Sequence, residues 1–188
     1  MEINKYKEFN IKNKIPIMRD KTLSHLIELA KTINHCKILE IGTAFGYSSF
    51  VLSQLENIKK IATLENNIER FDIAKNNLGH INKINFINES AFDFTTSDKY
   101  DIIILDGPKS HQEKLIDKFK SNLETKGFFF IDNLFLKDVF NEKKLTKNKL
   151  SLKNKLEKFN SYLNKLDKND WDIKKFDVDD GYAILYKL

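Results

Sequence analysis

A chain of 188 residues that is 41% hydrophobic and 12% aromatic can fill one core, which argues for a single domain over 1–188 and against a disordered chain. No apolar run approaches the ~18–20 residues that span a bilayer. The Lys-rich segment 1–15 lacks the apolar centre of a secretion signal, and the one cysteine, Cys36, excludes a disulfide framework or a cysteine zinc site. A reducing cytoplasm is the expected compartment, with no membrane partner. The net charge of +5 is unevenly spread, because residues 1–136 carry +1, residues 137–168 carry +6 and residues 169–188 carry −2. A local surplus of that kind fits either a solvated lysine-rich surface or a stripe that tracks phosphates.

Two prolines and six glycines leave hydrophobic period as the main guide to the elements. From Asp20, the spacing of Leu23, Leu26, Ile27 and Ala30 predicts a helix, and residues 1–35 read as an N-terminal helical cap. Residues 37–41 read as a strand closed by Gly42, 48–55 as a helix, and 60–64 as a second strand ending in Glu65. A helix over 69–78 stops at Gly79. Strands follow at 84–87 and 100–105, the latter with the doubly buried run Ile102–Leu105 and ending in Asp106. A helix over 112–123 leads to a strand at 128–131 ending in Asp132. Residues 150–166 form a Lys-rich amphipathic helix inside the basic segment 137–168. Residues 171–176 and 182–186 close the chain as an antiparallel hairpin. Strands alternating with helices imply a Rossmann-like, doubly wound α/β core over 36–188, with a seven-stranded, mainly parallel sheet and helices on both faces.

Acidic residues fall just past the carboxyl ends of the first, second, fourth and fifth of these strands, where open α/β sheets bind ligands. Each alone could cap the helix after it. Gly42 and Gly46 sit in the strand–turn–helix run Glu40-Ile41-Gly42-Thr43-Ala44-Phe45-Gly46-Tyr47-Ser48 and allow the backbone to approach a ligand. Glu65 lies at the tip of the next strand, where a carboxylate accepts both ribose hydroxyls of an adenosine. These features by themselves also suit a nicotinamide dinucleotide.

The run Ile38 to Ser49 resembles the first motif of class I S-adenosylmethionine-dependent methyltransferases, in the form seen in metal-dependent catechol-type O-methyltransferases. Further matches extend the likeness over residues 16 to 183. Pro16-Ile17-Met18 resembles the segment covering the cofactor in bacterial members, Asp106-Gly107-Pro108-Lys109 the family's Asp-x-x-Lys, Asp132-Asn133 its Asp-Asn pair, and Asp180-Gly181-Tyr182-Ala183 its closing motif. The resemblance implies S-adenosyl-L-methionine contacts at Met18, Glu40, Gly42, Gly46, Tyr47, Ser48, Glu65, Ser90, Ala91 and Asp106. It also implies a homodimer. Asp106, Asp132 and Asn133 offer hard oxygen ligands that suit magnesium, which would bind two adjacent acceptor oxygens. On the same resemblance Asp106 and Lys109 would be the catalytic pair, with a neighbouring cation lowering the Lys109 pKa so that it could act as general base. The chain departs from the family at Glu89-Ser90-Ala91, where Gly-Asp-Ala is usual, and at Gly107-Pro108.

Two acceptor classes follow. The segment Pro16 to Ser48 is most similar to a bacterial branch that methylates 5-hydroxyuridine at tRNA wobble position 34 to 5-methoxyuridine. A 5-hydroxyuracil presents the same vicinal oxygen pair as a catechol, and Lys143, Lys144, Lys147, Lys149, Lys153, Lys155 and Lys158 would then hold phosphates of the anticodon stem-loop. The alternative is a small catechol-like molecule under an apolar lid of Phe135, Leu136, Val139 and Phe140. A binding module without activity is disfavoured, because Asp106, Lys109, Asp132 and Asn133 are all present.

Overall fold

Strand alternation divides the interior into two apolar layers, one on each face of a central sheet. The computed structural model describes residues 2–107, 111–136 and 146–188. Its elements are α1 (Ile3–Lys12), α2 (Asp20–Lys31), β1 (Cys36–Ile41), α3 (Tyr47–Ser53), β2 (Ile58–Leu64), α4 (Ile68–Leu78), β3 (Ile84–Ile87) and β4 (Tyr100–Leu105). They continue with α5 (Gln112–Phe119), β5 (Leu123–Asp132), α6 (Lys147–Lys165), β6 (Trp171–Phe176) and β7 (Tyr182–Lys187). The seven strands form one sheet in the order β3-β2-β1-β4-β5-β7-β6. β3, β2, β1, β4 and β5 run parallel, while β7 pairs antiparallel with both β5 and β6. Strand order reverses between β1 and β4, the topological switch point at which ligands bind in such sheets.

Neighbouring residues of β4 and β5 point to opposite layers. Ile102, Ile104, Phe128 and Phe130 pack with Leu26, Phe50 and Leu52 on the side of α2 and α3. Ile103, Leu105, Phe129 and Ile131 pack with Leu115, Phe119, Phe159 and Leu163 on the side of α5 and α6. Burying both faces is why these strands read as unbroken apolar runs.

Three elements differ from the sequence expectation by three residues or more at one end. The 112–123 helix ends at Phe119; a 3-10 turn over Lys120–Asn122 follows, and Leu123 already belongs to β5. β5 therefore starts five residues before Phe128, and its register against β4 shifts between Tyr100 and Ile102. The polar stretch Glu124–Lys126 hides this start, and Lys126 adopts φ +67° at the irregularity. α6 begins at Lys147 because the Thr146 hydroxyl accepts the Lys149 N–H and caps it.

α1 has no counterpart in the hydrophobic pattern. Its buried residues are Tyr6 and Asn10, four apart, one an aromatic and the other an amide. Tyr6 meets Phe50 of α3 edge to face at 5.3 Å, and its hydroxyl donates to the Phe45 carbonyl in the turn before α3. Asn10 Nδ2 donates to the Tyr6 carbonyl. Burial pushes the Tyr6 phenol up to about 12 from 10.0. A raised native pKa means that this stabilisation is complete below pH 10 and is lost as pH rises through 12. Tyr6→Phe should remove about 2–3 kcal/mol of that pH dependence, read by urea unfolding of both proteins from pH 9 to 12; equal slopes would show that Tyr6 does not titrate with folding.

Candidate active site

The site is assembled at the carboxyl ends of β1, β2, β4 and β5, around a cavity of about 1000 Å³. On leaving β1, Gly42 and Thr43 both donate N–H to the Leu64 carbonyl at 3.0 and 3.1 Å, which curls the turn toward β2. Gly42 takes φ +106°, and a Cβ there would stand 2.6 Å from the Asp106 carbonyl oxygen. Only glycine lets the β1 and β4 tips approach this closely. Gly46, at φ +83°, then turns the chain into α3.

Glu65 follows β2 and is held at both oxygens: Oε2 accepts the Ala44 N–H at 2.8 Å and Oε1 accepts the Asn67 N–H at 2.9 Å. Carboxylate oxygens keep further lone pairs, so Glu65 stays able to accept ribose hydroxyls. Ser90, Ala91 and Phe92 form the wall after β3. Ser90 Oγ accepts the Phe92 N–H, where a family aspartate would offer a carboxylate.

The opposite end of the cavity carries the strand-tip acids. Asn133 N–H donates to Asp132 Oδ1 at 2.7 Å, while Asn133 Nδ2 donates to Asp132 Oδ2 at 2.9 Å and to Asp106 Oδ1 at 3.3 Å. Asn133 holds φ +58°, a left-handed geometry that asparagine tolerates better than most residues. Asp106 and Asn133 line the cavity, and Asp132 lies beneath them, 3% exposed. Among the described residues no three His, Cys, Asp or Glu side chains converge as a metal cluster. The candidate donor set is two carboxylates and an amide.

The N-terminal part of the chain covers this cleft. Met18 and Arg19 line it, and the Arg19 guanidinium pairs with Asp180 at 2.9 Å. Asp179 accepts both the N–H and the hydroxyl of Thr22. The closing Asp-Gly motif thereby ties the segment before α2 to the end of the sheet. The Asp180 carbonyl also accepts the Phe135 and Leu136 N–H groups, each at 2.9 Å, and Leu136 lines the cavity.

Of the residues expected at the cofactor, Met18, Gly42, Glu65, Ser90, Ala91 and Asp106 line the cavity. Glu40, Gly46, Tyr47 and Ser48 do not. Glu40 is not past β1 but within it, 1% exposed, and its carboxylate accepts the Ser48, Ser49 and Thr63 hydroxyls. Burial pushes its pKa up, and the three hydroxyls oppose that shift. Ser48 donates to Glu40 rather than toward the cavity, because the first turn of α3 packs against β1. Pro108, Lys109, Val139, Phe140, Lys143 and Lys144 lie outside the described residues. Lys147, Lys155 and Lys158 are exposed on α6, Lys149 and Lys153 are half-buried, and none of the five lines the cavity. Lys7 and Ile11 of α1 also line the cavity, as do Arg70 and Asp180. For α1 the sequence carries no signal, since nothing in a polar helix says which face a distant cleft receives.

A profile of the O-methyltransferase family matches residues 2–188. The chain belongs to that family. The glycine turn and Glu65 are the parts of the cleft whose chemistry suits an S-adenosylmethionine donor. Among solved structures, it is similar to a Staphylococcus aureus protein provisionally named a caffeoyl-CoA O-methyltransferase, with 28% identity and a TM-score of 0.88 over 100% of this chain and 93% of that one. Two further likenesses show the fold: a Podospora anserina methyltransferase with S-adenosylhomocysteine bound (19% identity, TM-score 0.85, 99% and 87% covered) and a Bacillus cereus O-methyltransferase in complex with the same product (17%, 0.80, 99% and 90%). A Rickettsia typhi bifunctional methyltransferase is 34% identical over 94 residues, which is 47% of this chain. The methyltransferase spans only 18% of that relative's length. Among the described residues no helix is long and apolar enough to cross a membrane.

Proposed function

We propose that this methyltransferase acts on one hydroxyl of a vicinal oxygen pair on a small planar ring, in the catechol-like class, with a divalent cation of the magnesium kind. The observation that carries this reading is that Asp106 and Asn133, with Asp132 hydrogen-bonded to Asn133 just beneath them, meet at the wall of the cavity that also holds the glycine turn and Glu65. Two carboxylates and an amide are hard donors that fit such a cation, and a half-turn of the Asn133 amide presents oxygen where nitrogen now stands. When bound, S-adenosylmethionine supplies the methyl group and the cation lowers the acceptor hydroxyl's pKa. The chain itself orients and encloses the reactants. Glu65 and the turn at Gly42 hold the donor from one side. Met18, Arg19 and Leu136 close the cavity over it and exclude water, so that alignment contributes much of the acceleration. Lys109, three residues past Asp106, remains the residue proposed to take the hydroxyl proton. The name of the Staphylococcus aureus structure supports a catechol acceptor.

One observation favours a second reading, the wobble 5-hydroxyuridine of tRNA. Lys147, Lys158 and Lys165 fall on one outward stripe of α6, and a shallow groove of about 580 Å³ runs along Lys158, Tyr162 and Lys165. Such a stripe suits phosphates.

One assay separates the two readings. The protein is incubated with labelled S-adenosylmethionine and magnesium, and with either a caffeoyl thioester or tRNA carrying 5-hydroxyuridine. Methylation of the catechol that stops on chelation of the metal is the expected result. Transfer to tRNA alone would replace the first reading by the second, and undiminished transfer in chelator would overturn the metal.

A further inference from the structure

Glu40, expected to touch the cofactor, does not line the cavity, and a hydrogen-bond chain joins it to the turn that does. Glu40 is buried in β1 and, as a carboxylate, can only accept. Thr63 Oγ1, from the neighbouring strand β2, donates to Glu40 Oε2 at 2.6 Å. A hydroxyl has a single proton, so at the 2.6 Å contact between Thr63 and Thr43 the Thr63 oxygen accepts and Thr43 donates. The chain therefore runs in one direction, Thr43 to Thr63 to Glu40. All three side chains are at most 3% exposed, where neither water nor another group replaces a lost partner.

Thr43 stands between Gly42 and Ala44, both of which line the cavity. Ala44 is held at φ +48°, an uncomfortable conformation for a residue with a Cβ. Its N–H donates upward to Glu65. The turn is thus suspended between two carboxylates, Glu65 on the cavity side and Glu40 beneath, and the lower attachment passes through Thr63. We propose that Thr63 is a positioning residue for the methyl donor: without touching the cofactor, its hydroxyl holds the Gly42–Ala44 turn in the shape that receives it. This rests on the donor reading and is independent of which acceptor is used.

The test uses the full chain and S-adenosylhomocysteine as the probe, with the dissociation constant read by calorimetry at 25 °C and the melting temperature read separately. Thr63→Val keeps the shape and removes the hydroxyl; it should weaken binding about fivefold or more, the scale of one lost buried hydrogen bond. Thr63→Ser, which retains the hydroxyl, should bind within about twofold of the parent, as expected when the bond is kept. Thr43→Val breaks the same chain one link earlier and should weaken binding to a similar degree. The double variant Thr43→Val/Thr63→Val should be no weaker than the weaker single, since both remove one linkage. Parental affinity in a folded Thr63→Val would overturn the proposal, as would additive losses in the double variant. If Thr63→Val does not fold, parental affinity in Thr43→Val, or a Thr63→Ser as weak as Thr43→Val, would overturn it equally. Failure of the parent to bind the probe would instead sink the donor reading.

Discussion

Replacing Asp132 by alanine should lower methyl transfer by about 10³-fold, the scale of losing a principal electrostatic group at a reacting centre. Binding of S-adenosylhomocysteine should change little. The split follows from placement. Asp132 ends β5, while Gly42 and Glu65, proposed to hold the donor, follow the β1 and β2 tips. Asp132 also accepts two hydrogen bonds from Asn133, so its loss frees Asn133 from the left-handed geometry that places the amide beside Asp106. Asp132→Asn serves as the conservative partner. It keeps the shape, loses the charge, and should need more magnesium to reach half-maximal rate. Rate constants, probe affinity and a magnesium titration are the measurements. Residual activity near the parent in both variants would remove Asp132 from the site.

Gly42→Ala should abolish measurable binding of the same probe and cost about 3–5 kcal/mol of stability, because two independent penalties act at one position. The backbone there has φ +106°, and the new Cβ would lie 2.6 Å from the Asp106 carbonyl oxygen, 2.8 Å from its carbon and 2.9 Å from the Gly107 nitrogen. Every one of these is main chain, so nothing can rotate away. Relief requires β1 and β4 to separate at the switch point, which displaces Asp106 from Asn133 and the turn from Glu65 together. Gly46→Ala is the internal comparison. Its nearest contact is the end of the Leu78 side chain at 2.9 Å, which can move, so its loss of affinity should be smaller. Calorimetry and thermal melts check both variants. Equal affinity of Gly42→Ala and the parent would show that the turn is not part of the donor site.

The central strands β1 and β4 and the apolar end of β5 were legible because they are buried on both faces and read as apolar runs; β4 over 100–105 matches its expected span. The hairpin of β6 and β7 was legible for a different reason, the absence of any helix between two apolar segments. α1 was not legible. Tyr6 and Asn10 make its buried face, and an amide paired with a phenol leaves no hydrophobic period. The start of β5 was hidden for a related reason: of its first half only Leu123 pairs in register with β4, and the polar residues Glu124–Lys126 that follow break the apolar run.

Glu40 shows the same limit within the site. Sequence places it two residues before Gly42, which is compatible with a ligand above the turn or with hydroxyls below it. Strand alternation and the position of α3 decide for the hydroxyls, and no local rule anticipates that Thr63, on another strand, is one of them. The basic surplus behaves likewise. Net charge over 137–168 is a property of composition. That Lys147, Lys158 and Lys165 share one outward stripe, away from the cavity, depends on which side of α6 Phe159 and Leu163 bury.

By itself the sequence determined the element types, the parallel sheet, and the acids and glycines at its carboxyl edge, because those are set by local period and by chain order. The tertiary structure decided which of those residues face the cavity, which support it from beneath, and that α1 and the Asp179–Asp180 turn close it. Those outcomes depend on contacts between residues far apart in the chain, such as Arg19 with Asp180 or Thr43 with Thr63, whose geometry exists only once the sheet has formed.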